Sequence, residues 1–210
     1  MCSVSEEQMN DRFFELKKEK QDRMINAACR VLAVNGYSNS STDNIVKAAS
    51  ISKGLLFHYF GSKQGMFSFV YDFCERYAQL ELRSSIREPS KDYFRLQEQI
   101  IGAQVTIMRQ YPFLLLFLET ASLETDPELK ELMKATDVNY RDVCLEMADK
   151  TETPDGYSPA EIQRLGDLLH RVSMHYIRCS LMQDQFDPDQ YEEYMLSCLE
   201  LLKRNPVQAV

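Results

Sequence analysis

Apolar residues recur along this chain at three- and four-residue intervals almost throughout, the spacing that lines one face of an α-helix. Met24/Ile25, Ala28 and Val31/Leu32 form such a stripe, which runs out at Asn35-Gly36, a pair suited to ending a helix. The pattern predicts a first helix over 18–35, with Phe13, Phe14 and Leu16 just upstream and able to fold back onto it. Two very short helical segments follow. Ser41 is placed to cap 42–49 by accepting from a backbone N–H near Asn44, and Asp43 sits in that first turn, where the helix dipole favours negative charge. Ser52 is placed to cap 53–59, and Ser50-Ile51 leaves room only for a tight turn between two steeply crossing helices. Gly61-Ser62 then breaks the chain, and Ser62 can cap a much longer helix from Lys63.

Every proline lies later, at 89, 112, 127, 154, 159, 188 and 206. Proline is tolerated between helices or in their first turn, so these positions mark joints. They divide the remainder into helices near 63–87, 91–110, 112–123, 127–150, 158–184 and 188–204. The last two are amphipathic: Ile162, Leu165, Leu168/Leu169, Val172, Tyr176 and Cys179 make one stripe, and Tyr191, Tyr194/Met195, Cys198 and Leu201/Leu202 the other. No run of alternating β-branched residues reads as a hairpin strand. The fold class is all-α: a three-helix head joined by a long helix to a helical bundle, with a boundary between 18–78 and 79–210.

Composition is that of an ordinary globular protein, 44% hydrophobic and 27% charged over 210 residues. The longest apolar run, 113–118, is bounded by Pro112 and Glu119. It falls well short of the ~20 residues that span a bilayer. Glu6, Glu7 and Asp11 make the start of the chain too acidic for a signal peptide, so a cytoplasmic location with no membrane partner is expected. The cysteines at 2, 29, 74, 144, 179 and 198 form no C-x-x-C pair and are read as small buried residues on helices. The net charge of −8 argues at first against nucleic acid, but its distribution alters that: 1–64 carries +2, 65–210 carries −10, and 17–63 alone carries +5. A basic head on an acidic body is compatible with a DNA-reading module.

Two short capped helices joined by a tight turn, after a longer amphipathic helix, form a helix-turn-helix pattern at 41–60. The small Ala48, Ala49 and Ser50 allow the axes to approach. The stretch 41–67, STDNIVKAASISKGLLFHYFGSKQGMF, resembles the DNA-binding domain of the TetR/AcrR family. The matching positions are Ser41, Ile45-Val46, Ala49-Ser50-Ile51-Ser52, Gly54, Phe57-His58-Tyr59-Phe60, Ser62-Lys63-Gln64 and Phe67; Ala27-Ala28 and Asn35-Gly36-Tyr37 also fit the family's first helix. The close likeness covers about 18–78. Three positions depart from the pattern. Ser50 stands where a left-handed glycine is usual, Asp43 where a basic residue is common, and Val46 where alanine is.

Leu56 and Phe60 are spaced to pack inward with Ile45 and Ile51, which leaves Lys53, Gly54, Leu55, Phe57 and His58 on the opposite face. Lys53 can donate to a guanine edge, Leu55 can touch a thymine methyl, and Gly54 permits close backbone approach. The resemblance places Ser41 among the DNA-binding positions and implies phosphate contacts from Thr42, Tyr59 and Lys63, although Tyr59 also reads as an ordinary packed side chain. It further implies a homodimer through about 158–204, a double-stranded DNA operator as partner, and release of repression by an unknown small hydrophobic ligand. Phe94, Ile101, Met108, Phe113, Phe117, Tyr140, Cys144, His170 and Met174 are the candidate ligand contacts, as aromatic, flexible or polar-capable groups on the later helices. No cofactor, metal or enzymatic activity is expected. A di-iron bundle would need two Glu-x-x-His pairs, and only Asp167-x-x-His170 comes near that spacing. A helical adaptor without a DNA role is the other alternative.

Overall fold

The computed structural model describes residues 12–134 and 139–204, and those residues are helical throughout, with no strand beyond one isolated bridge between Asp92 and Glu152. Ten helices of eight or more residues follow in order: α1 (Lys18–Asn39), α2 (Thr42–Ala49), α3 (Lys53–Phe60), α4 (Lys63–Ser85), α5 (Tyr93–Gln110), α6 (Leu114–Ser122), α7 (Pro127–Lys134), α8 (Tyr140–Ala148), α9 (Pro159–Met182) and α10 (Pro188–Arg204). The caps read from the sequence are in place. Ser41 accepts from Asn44 N–H at 3.1 Å, Ser52 from Leu55 N–H at 3.2 Å and Ser62 from Gly65 N–H at 2.9 Å. At α9, Ser158 and Glu161 form a reciprocal capping box. Glu161 accepts from both the side chain and the backbone of Ser158, which holds its carboxyl below the usual range.

Two boundaries differ from expectation. The first helix does not stop at Asn35: Gly36 takes φ 69, ψ 171, and helical turns resume as far as Asn39. The Asn-Gly pair therefore makes a kink, which Ser40 braces by donating its hydroxyl to Gly36 O (2.5 Å) and Val31 O (3.2 Å). The single helix expected over 127–150 is two helices, α7 and α8; Asn139 caps the second by accepting from Asp142 N–H at 2.9 Å.

Packing divides the chain into two units, one of residues 1–76 with 110–137 and the other of 77–109 with 138–210, so the division falls inside α4. In the first unit α1 packs on α2 and on α6. The first five residues of α6 are all apolar, and Leu114 to Leu118 are buried. Phe117 meets Phe67 edge-on at 5.8 Å, and Thr120 donates to Ala33 O at 3.2 Å. Tyr111, fully buried, donates to the carboxylate of Asp22 and accepts from Lys18 Nζ at 3.0 Å. Cys29 of α1 and Cys74 of α4 lie Sγ to Sγ at 3.4 Å, both buried, and burial followed by the neighbouring Cys29 pushes the Cys74 thiol up.

The second unit is built on Leu82, Ile86, Leu96, Ile100, Ala103 and Val143, with Tyr140, Cys144, Met147 and Ala148 packed against them. A buried polar chain crosses it: Tyr191 donates to Gln104 Oε1 (2.5 Å) and shares a 2.8 Å hydrogen bond with Ser173 Oγ. The buried line of α9 is Leu165, Leu169, Ser173, Ile177 and Leu181, not the stripe read from the sequence. That stripe's Leu168 is 48% exposed and its Cys179 lies exposed beside His175, so Cys179 is not the buried cysteine expected. On α10, Tyr191, Met195 and Leu199 are buried, while Tyr194 and Leu201 face outward. Both helices carry more apolar surface than this chain alone buries.

Burial of tyrosine hydroxyls in this unit has a pH consequence. Desolvation, with a smaller contribution from Asp167, pushes Tyr93 up to about 12, and desolvation raises Tyr191 further. A phenol whose folded pKa exceeds its unfolded value of about 10 contributes stability in full below pH 10 and loses it as pH rises through the folded pKa. Stability is expected to be flat up to about pH 8, to begin falling as the raised Cys74 thiol comes into play, and above pH 10 to fall by a further ~1.4 kcal/mol per pH unit for each such tyrosine, read as a falling thermal midpoint. Tyr93→Phe should flatten that alkaline limb, as followed by circular dichroism melts across the pH series.

Candidate nucleic-acid interface

The head's three helices are set by a compact apolar centre. Ile45 and Ala49 of α2, Leu56 and Phe60 of α3, and Met66 and Val70 of α4 close on Met24, Ile25 and Ala28 of α1, with Ile51 of the turn half-buried at their edge. Phe13 adds an aromatic layer, with its ring centroid 4.9 Å from Phe69, 5.6 Å from Phe60 and 6.1 Å from Tyr59. Phe13 thus folds back into the head, with these ring contacts made to α3 and α4 where the sequence expects α1. Gly65 admits α4 beside the end of α3: a Cβ there would lie 2.2 Å from Phe60 O.

The turn between α2 and α3 depends on Ser50, which takes φ 52, ψ 48. Its N–H donates to Lys47 O, and Ile51 N–H donates to Val46 O at 3.0 Å. A left-handed residue with a Cβ costs on the order of 1 kcal/mol. Ser50→Gly is therefore expected to stabilise the protein by about 0.5 kcal/mol, after allowing for glycine's greater freedom in the unfolded chain. Urea unfolding measures this; a loss of stability would assign the serine hydroxyl a holding role.

With its inner side fixed, α3 turns a defined face outward. Lys53, Gly54, Phe57 and His58 are exposed and Leu55 is half-exposed, whereas Leu56, Tyr59 and Phe60 are buried. Tyr59 is only 8% exposed, with its ring edge-on to Phe13. Among the described residues, nothing lies within 4 Å of where a Cβ on Gly54 would stand, and no packing among them requires a glycine there. Lys53 does not extend free into solvent: its Nζ lies 2.8 Å from Asp43 Oδ1 on α2. The sequence marks Asp43 as a first-turn acid and a missing basic contact, and nothing local signals this pairing ten residues on.

Ser41 is exposed and engaged as a cap, and Thr42 is half-buried beside it. The Lys63 ammonium sits 4.1 Å above the Tyr37 ring, at the opening of α4. Tyr37 is itself pushed up by burial and then by Asp126, Glu128 and Glu124. Ser41, Thr42, the outer side of α3 and Lys63 thus all belong to one unit and to three consecutive helix starts.

The candidate ligand contacts divide between the units. Phe113 and Phe117 belong to the first, with the Arg30 guanidinium 5.5 Å over the Phe113 ring. Phe94, Ile101, Met108, Tyr140, Cys144, His170 and Met174 belong to the second. There Phe94, Ile101 and Met108 are buried, and the other four are half-buried. Among the described residues no group of three or more His, Cys, Asp or Glu side chains is arranged to hold a metal ion.

Comparison with known proteins agrees with this geometry. Residues 24–69 match the family model described as bacterial regulatory proteins, tetR family. The HTH-type transcriptional regulator AcrR of Shigella flexneri is 26% identical over 137 residues, a match that takes in 64% of this chain and 62% of that regulator, short of two thirds of its length. Among solved structures, the transcriptional regulator FadR from Bacillus subtilis in complex with stearoyl-CoA aligns with a TM-score of 0.55 at 17% identity, over 84% of this chain and 96% of that one. The TetR-like regulator LfrR from Mycobacterium smegmatis in complex with proflavine aligns with a TM-score of 0.55 at 15% identity, over 86% and 94%. At those identities the structures speak for the fold, while the family model covers the helix-turn-helix itself. Over residues 24–69, the head is thus similar to the tetR family of bacterial regulatory proteins.

Proposed function

We propose that this chain is a cytoplasmic DNA-binding transcriptional regulator that acts as a homodimeric repressor on a palindromic operator. The observation that carries the reading is the outer face of α3, where Lys53, Gly54, Phe57 and His58 stand exposed on a helix whose other side is anchored in the head core. A helix presented in this way suits a major groove about 12 Å wide, with its N-terminal residues toward the base edges. Lys53 donates to a guanine edge, Leu55 and Phe57 meet thymine methyls, and Gly54 leaves room for the backbone to approach. Ser41, Thr42 and Lys63 lie toward the phosphates, where the N-termini of α2 and α4 also attract anions. Tyr59, being buried, supports Phe13 with its ring and has only its edge available to DNA.

The dimer forms through α9 and α10. Support comes from the apolar side chains these helices leave exposed, Leu168 and Met182 on α9 and Tyr194 and Leu201 on α10, which pairing with a second copy would cover in a four-helix bundle. Two heads then read half-sites about one helical turn, roughly 34 Å, apart. The effector is a small hydrophobic molecule; the stearoyl-CoA and proflavine named for two fold neighbours support an apolar or aromatic class. It acts by favouring a conformation with altered head spacing, and coupling of about 1–3 kcal/mol gives a 5- to 150-fold loss of operator affinity.

Selection of binding sites from random duplex DNA by the full-length protein tests the reading. A two-fold symmetric site is the expected product. Recovery of no enriched sequence, at salt concentrations low enough to retain non-specific complexes, overturns it.

A further inference from the structure

Lys53 occupies the first position of α3, where unpaired backbone N–H groups already make the helix end positive. A cation is disfavoured there, and its four-carbon stem leaves it free to swing toward whatever negative charge is nearest. On a DNA duplex that charge is a phosphate, which carries no sequence information. In this chain the ammonium is instead held 2.8 Å from Asp43 Oδ1, on the helix that precedes the turn. The pair is largely exposed, 52% for Lys53 and 69% for Asp43, and exposed pairs contribute little to stability. Its place is also unusual for a fold-holding contact, since it joins the outer side of α2 to the opening of α3.

We infer that Asp43 is a positioning residue for sequence discrimination: it holds the Lys53 ammonium over the base edges and keeps it off the phosphate backbone. The inference rests on the DNA-binding reading and deepens it. Two effects act together. The carboxylate supplies the counter-charge that a phosphate would otherwise provide, so Lys53 loses its reason to turn toward the backbone. The same negative charge, exposed on the DNA-facing side, raises the energy of every register in which phosphates crowd that spot. Correct registers escape this penalty because a guanine edge accepts from the held ammonium. Non-specific binding, which is almost wholly electrostatic, does not escape it.

The test uses the full-length protein, the duplex recovered by selection and a scrambled duplex of equal length, with affinities read by fluorescence anisotropy across a salt series. Asp43→Asn is expected to tighten the scrambled duplex by about tenfold at low salt, and to steepen the salt dependence by roughly 1–2 in log–log slope as one lysine per head turns to a phosphate. On the selected site the change should stay below about threefold, so that discrimination falls and the guanine preference at the Lys53 contact relaxes. Asp43→Glu should keep discrimination within twofold of wild type. In a Lys53→Ala background, Asp43→Asn should alter the ratio of the two affinities at least threefold less than it does with Lys53 present, the remainder being the carboxylate's own repulsion of phosphates. A ratio unchanged in the single Asp43→Asn variant overturns the inference, as does the same change of ratio with or without Lys53, which would mean that Asp43 meets DNA on its own account. Failure of the wild-type protein to bind either duplex overturns the DNA-binding reading, and the inference with it.

Discussion

Leu56→Ala is expected to destabilise the protein by about 3–5 kcal/mol, the upper part of the range for truncating a buried leucine. Leu56 is 1% exposed at the centre of the head. Its neighbours there, Ile25, Ala28, Ile45, Ala49 and Phe60 among them, already surround a small apolar void. Removing three heavy atoms beside an existing gap leaves a larger cavity than the site can close, because α2 and α4 fix it from two sides. The void is too apolar for water to be held in compensation. Urea unfolding followed by far-ultraviolet circular dichroism measures the loss; a change under about 1 kcal/mol would mean that the head relaxes around the truncation. Leu56→Met, close in volume, should cost far less.

Lys53→Ala is expected to weaken binding to the selected operator by about 2–6 kcal/mol, counting one lysine-to-guanine contact of about 1–3 kcal/mol in each of two heads. At 1.4 kcal/mol per tenfold, the affinity falls by roughly 30-fold to more than 10,000-fold. The truncation also leaves Asp43 without its partner on the outer side of α2. Competition titrations against a scrambled duplex separate the two possible roles of Lys53. A loss confined mainly to the operator marks a base contact. An equal loss on both duplexes, with a shallower salt dependence, would reassign Lys53 to the phosphates.

The head was legible because its determinants are local. Three serines, at 41, 52 and 62, each precede a helix and each caps it. Ser50 reveals its left-handed turn by standing where the family's glycine would, and φ 52 agrees. The bundle helices were legible in number more than in detail. Proline marked most joints, but the start of α8 depends on Asn139 and Asp142, a weaker cap signal inside an otherwise continuous apolar pattern. Which line of α9 the single chain buries is not legible for a related reason. Helix positions 165, 169, 173, 177 and 181 are spaced by four, and the middle one is a serine whose burial is explained only by its hydrogen bond to Tyr191. Leu168, exposed in one chain, belongs to the apolar stripe from which the sequence expects both core and dimer contacts, and hydrophobicity alone does not divide the two. Long-range pairings left no local trace at all. Lys53 with Asp43, Lys63 over Tyr37 and Thr120 against Ala33 are products of tertiary placement.

The first packing unit is assembled from two stretches of chain, and residues 77–109 are spent elsewhere between them. During synthesis the apolar side of α1 that α6 will cover therefore emerges well before its cover does. A nascent chain halted soon after the helix-turn-helix would hold that motif complete in sequence yet open along one flank. Vectorial folding of the head thus waits on a segment that lies outside the head's own sequence.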